Sequence, residues 1–164
     1  MDIMAIFGTQ FLLSILVFTL IARWYVVPAL AGKPNREALT LLILPHTLRH
    51  LGLIFIVPGL VGENLSPSFA GMAAYGDLAS GLLAIVSIIA LRRNWRVAIP
   101  LAWVFNVVGV VDLVNALRQA DTVPDLGVAW LVPTFVVPVL LVTHVMIFAR
   151  LVRQRRLIAL QASS

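Results

Sequence analysis

LTLLILPHTLRHLGLIFIVPGLV, residues Leu39–Val61, is the stretch on which the reading of the whole chain turns. It is as long as the roughly 20 apolar residues needed to cross a bilayer core. It also holds His46, Arg49 and His50 near its middle and no acid to neutralise them. Arg49 lies about ten residues from either end, or roughly 15 Å at the α-helical rise. That is too deep for its guanidinium to reach the headgroups comfortably, so the segment reads as a membrane span whose arginine needs a protein partner. Wound as an α-helix at 100° per residue, it would put His50 within about 40° and Arg49 within about 60° of His46, all on one face. Pro45 frees the carbonyl of Leu41 and predicts a kink there.

Four further segments share this character: about Met4 to Val27, Phe69 to Leu91, Val97 to Leu117 and Val128 to Phe148. The connections between them carry turn chemistry, with Ala31-Gly32-Lys33-Pro34-Asn35-Arg36 first, Gly62 to Pro67 second, Arg92 to Arg96 third and Gln119 to Gly127 fourth. Ser66-Pro67 is a helix-start signal. The expected fold is therefore all-α: a polytopic bundle of five transmembrane helices forming one domain over 1–164, with 149–164 a short basic tail. Composition agrees, since 61% of residues are hydrophobic and 12% charged, against roughly 45–50% and about 25% in soluble domains. Mean hydropathy is +1.02. A soluble fold this small has too little interior to hide so much apolar surface.

The net charge of +5 and pI near 11.1 do not point to nucleic acid, because the basic residues sit at span ends and in the tail. Arg23, Lys33, Arg36, Arg92, Arg93, Arg96, Arg150, Arg153, Arg155 and Arg156 all fall on one side of a five-span chain. Arg118 alone falls on the other, and Arg49 lies within a span. The positive-inside rule then predicts an outside N-terminus and a cytoplasmic C-terminus. Met1-Asp2-Ile3 lacks the positive charge of a signal peptide and the first apolar run is too long for one, so it reads as a retained span. The Arg-over-Lys bias and the Ala/Leu/Val richness suggest a bacterial cytoplasmic (inner) membrane. Partners would be the lipid bilayer and either a homo-oligomer or a larger membrane complex.

Ionisable residues inside spans cost about 2.5–3.5 kcal/mol each on insertion scales. This chain carries Arg49, His46 and His50 in segment two, Asp77 in three, Asp112 in four and His144 in five, with Asn106 and Asn115 adding amides. Ala73, Asp77, Ser80, Ala84 and Ser87 form a small-residue stripe that should face other helices, with Leu82, Ile85 and Ile89 turned away. Arg49 with two ionised aspartates leaves one surplus negative charge, so a proton, a charged His50 or a bound cation is expected to balance it. The leading expectation is a midplane site of Arg49, His50, Asp77, Asp112, Asn106 and Asn115 that binds or passes a proton, small cation or small polar molecule.

His46 and His50 also have the i, i+4 spacing of a metal pair. With His144 they suggest an alternative, a haem- or divalent-metal-dependent redox or membrane enzyme, with haem held between His46 and His144. A third reading is an accessory or structural subunit of a membrane complex, whose polar residues bind helices together. The absence of cysteine excludes disulfides and thiolate ligands. A retinal Schiff base is excluded too, because it needs a lysine within a span and the sole lysine, Lys33, lies in a loop.

Overall fold

Residues 2–162 are described in the computed structural model, without the side chains of 120, 157–159, 161 and 162. No strand occurs among them. Five helical stretches are long and apolar enough to cross a membrane: Ile3–Ala31, Asn35–Ile56, Pro67–Arg92, Ala98–Leu117 and Gly127–Arg156.

The first stretch runs as α1 (Ile3–Ile21), a π turn (Ala22–Val26) and α2 (Val27–Ala31). The π turn lies just before Pro28, which cannot donate to the helix ladder. α1 buries none of its residues and lies at the edge of the bundle against α6. The second stretch is α3 (Asn35–Ile43) continued by a 3-10 segment, Leu44–Ile56. α4 (Pro67–Arg92) and α5 (Ala98–Leu117) follow. The fifth stretch starts in short 3-10 and π turns, which absorb Pro133, and runs on as α6 (Val137–Ala162).

One end of the bundle gathers the basic connections. Arg150 donates to the Leu30 carbonyl at 2.6 Å, Asn35 Nδ2 to Gln154 Oε1 at 2.6 Å, and Arg36 to the Trp95 carbonyl at 3.5 Å. The residues expected as a tail from 149 are therefore helical through 162 and packed on this end at first, with Arg155 over the Trp103 ring. Residues 163 and 164 lie outside the described part. At the opposite end, which has few basic residues and carries Glu63, Asp121 and Asp125, the second and fourth connections are joined by two backbone hydrogen bonds. Gly62 N–H donates to Asp125 O at 2.8 Å, and Val128 N–H to Leu60 O at 2.9 Å. Gly127 makes that approach possible: its φ is +53°, and a Cβ there would lie 2.8 Å from Leu60 O.

α4 is the central helix, and it packs along the second stretch and α5. Its small-residue row Ala73, Asp77, Ser80, Ala84 and Ser87 is buried, while Leu82, Ile85 and Ile89 are exposed. Close backbone approach is the physical result. A Cβ on Gly81 would lie 3.4 Å from the His50 backbone nitrogen. Apolar cores occupy both ends of the bundle, one around Leu39, Ile43, Phe105 and Ile147, the other around Phe55, Phe69, Ala74 and Leu126.

The second stretch departs from the α-helix expected over Leu39–Val61. It ends at Ile56, and its last 13 residues are 3-10. Such runs are uncommon beyond three or four residues, because their hydrogen bonds are poorer. A 3-10 turn repeats every three residues, so His46, Arg49, Gly52 and Phe55 form one row, and all four are buried. At about 2.0 Å per residue the segment also spans roughly 26 Å, where an α-helix would span about 20 Å.

Candidate functional site

The 3-10 row delivers Arg49 to the middle of the bundle, where its side chain is 1% exposed. Asp77 of α4 places Oδ1 in the fork of the guanidinium, 2.7 Å from both Nε and Nη2. Nη2 also pairs with Asp112 Oδ2 of α5, and Nη1 donates to the Gly109 carbonyl at 3.2 Å. Three helical stretches thus meet on one guanidinium. A charge-assisted contact of this kind is stronger than a neutral hydrogen bond, and the fork fixes the geometry as well.

Room for the ions comes from glycine. A Cβ on Gly52 would collide with the Asp77 carboxylate, and one on Gly76 with that of Asp112. On Gly109 it would stand 2.7 Å from His144 Cε1 and 3.1 Å from Arg49 Nη1. Sequence reasoning placed none of these three glycines in the site. Only Gly76 adjoins a charged residue in the sequence, Asp77; Gly52 lies between leucines and Gly109 between valines, with nothing to mark them.

Toward the basic end lies a second polar cluster. The His46 and His144 rings are 4.2 Å apart between centroids, with Phe105 against both. Thr143 Oγ1 already donates to the backbone of Val139 or Leu140, so at 2.9 Å it accepts the proton of His46 Nε2. Asn106 Nδ2 donates to the His144 carbonyl at 3.2 Å, which leaves its Oδ1 to accept from His144 Nδ1 at 2.7 Å. Each imidazole therefore has one fixed N–H. The other nitrogens, His46 Nδ1 and His144 Nε2, are buried without a hydrogen-bond partner among the described residues. This bonding pattern is that of two neutral rings. Thr143 was missed from sequence although it precedes His144.

Two expected members are elsewhere. His50 is exposed and turns its Nδ1 to the Thr47 carbonyl at 3.0 Å. The reason is the winding: in a 3-10 helix residues four apart diverge by about 120°, whereas the α geometry assumed from sequence would have aligned them. Asn115 is exposed on α5. The three-histidine metal set is accordingly not assembled. Among the described residues no group of three or more His, Cys, Asp or Glu is disposed to hold a metal ion. Haem between His46 and His144 does not fit either. A metal–imidazole bond is about 2 Å long, so two rings on opposite sides of an iron stand farther apart than these, which touch.

Beyond Arg49, toward the end opposite the basic connections, a cavity of about 50 Å³ opens. Asp77 and Asp112 line it together with Phe7, Phe55, Phe69 and other apolar residues, and Gln119 and Thr122 stand among its polar groups. The volume admits a few water molecules, at roughly 10–15 Å³ of such space each.

A model for a domain of unknown function, DUF8737, matches residues 6–152. The chain belongs to that family. The DUF8737 match spans the Arg49 centre, the histidine pair and the cavity. Comparison with curated proteins and with solved structures found no match.

Proposed function

We propose that this DUF8737 chain is a five-span membrane protein that binds a proton or small cation at the Arg49–Asp77–Asp112 centre. The N-terminus and the cavity would face outside and the C-terminus the cytoplasm, most simply in a bacterial inner membrane. The arginine distribution supports that orientation. One observation carries the functional reading: Arg49 pairs with two carboxylates at once, and both of these line a cavity. Ionised, the three groups sum to one negative charge. The histidine pair, neutral by its hydrogen bonds, supplies no compensation. A surplus charge in a low-dielectric bundle is costly, and a proton or cation taken from the cavity removes it.

A purely structural role for the polar residues predicts no reason for a cavity to reach the ions. Infrared difference spectra of the purified protein between pH 4 and pH 9 test the reading. A protonated-carboxyl band should appear on acidification, or be displaced by added cation, and should vanish in Asp77→Asn or Asp112→Asn. Carboxylates silent to both pH and cations would refute it.

A further inference from the structure

The cavity's lining narrows the choice of ligand. Arg49 holds Oδ1 of Asp77 and Oδ2 of Asp112, so each carboxylate keeps one oxygen outside the guanidinium contacts. A hard metal cation wants about six to eight oxygens. Two carboxylate oxygens, with Gln119 and Thr122 as the other polar groups of the lining, fall short of that number. The remaining wall is apolar, with three phenyl rings. Such a wall offers a metal no ligands of its own, but it favours a cation that carries its own hydrocarbon, by burial of methylenes and by ring–cation attraction.

We infer that the cavity takes a small organic ammonium ion, its N–H groups on the free carboxylate oxygens and its carbon chain among Phe7, Phe55 and Phe69. The inference rests on the cation-binding reading above and names the ligand class for that site. Charge decides for ammonium over a neutral amine or alcohol: one positive charge brings Arg49, Asp77, Asp112 and ligand to zero. Size limits the chain to a few carbons.

The test is calorimetric titration of the full chain in detergent with methyl-, propyl- and pentylammonium chloride, against sodium chloride and 1-propanol. Saturable binding of propylammonium is expected, with affinity rising about fourfold per methylene until the cavity is full, and neither sodium nor propanol competing at equal concentration. Ala116→Leu, which adds bulk to the wall without touching a charge, should weaken propylammonium binding at least tenfold. Propylammonium binding no tighter than sodium, or binding unaffected by Ala116→Leu, overturns the inference. The infrared carboxyl signal separates the two levels. If it responds to pH or sodium but not to alkylammonium, the ligand class is wrong and the cation site stands. A signal silent to all three removes both.

Discussion

The two polar clusters of the bundle lie side by side and solve the cost of burial in opposite ways. At Arg49 the groups are ionisable, drawn from three helical stretches, and open to a cavity. At His46 and His144 they are neutral, each held in one tautomer by a neighbour, and enclosed by Phe105 and the basic-end core. Polar glue between helices needs only the second arrangement, in which every hydrogen bond that is made is internal. The first costs more to keep and leaves a charge over. The difference supports the proposal of ligand chemistry at Arg49 and its aspartates, with the histidines as packing and positioning groups.

Breaking the ionic cluster should give the largest effect. Arg49→Met strands two carboxylates at once, and removing one side of a buried pair costs about 3–5 kcal/mol. Arg49→Met is expected to abolish or strongly reduce folded protein, measured as monodisperse protein recovered in detergent. Restoring neutrality with Asp77→Asn and Asp112→Asn in the same chain should recover part of the loss, because neutral groups of the same shape need no partner ion. Recovery of Arg49→Met equal to wild type would place the guanidinium in water and end the comparison.

The enclosed cluster should yield a smaller effect of a different kind. Asn106→Leu removes the acceptor of His144 Nδ1–H and the donor to its carbonyl. Leaving a buried donor unsatisfied costs about 1–3 kcal/mol. A lower unfolding temperature, with an unchanged infrared carboxyl signal, is the expected result. A carboxyl signal lost together with the stability would join the two clusters into one site.

Much of this was legible in the sequence. The five long apolar helical stretches follow from apolar length alone. The α4 face follows from Ala73, Asp77, Ser80 and Ala84 recurring at helical spacing. Arg49 had to find an acid because it cannot lose its proton, and Asp77 and Asp112 were the acids within spans; that it holds both at once needed the structure. Three features were not legible. Gly52, Gly76 and Gly109 make room for ions through the absence of a side chain, which leaves no chemical signal. The contact of His46 with His144 depends on how the second and fifth stretches cross. The winding of Leu44–Ile56 is set by packing against α4, and propensity favours the α form there, so the i, i+4 alignment of His46 and His50 was a reasonable expectation that tertiary contact overrode.

That winding supplies the smallest predicted effect and the sharpest contrast. His46 and His50 are the same residue type on one segment, yet the first lies in a buried row and the second is exposed. Among the described residues the His50 side chain makes one hydrogen bond, with the carbonyl of Thr47 three residues earlier, which a glutamine N–H can also reach. His50→Gln should therefore leave the unfolding temperature within about 2 °C of wild type, and should leave the carboxyl signal intact. His46→Gln removes a ring packed on both His144 and Phe105 and should cost clearly more. The pair of substitutions reads the helix type directly. In a 3-10 segment only position 46 matters, whereas in an α-helix the two would share a face and their losses would be alike. Equal losses at the two positions would mean that the segment is α-helical in the folded protein, and His50 would then return to the Arg49 site.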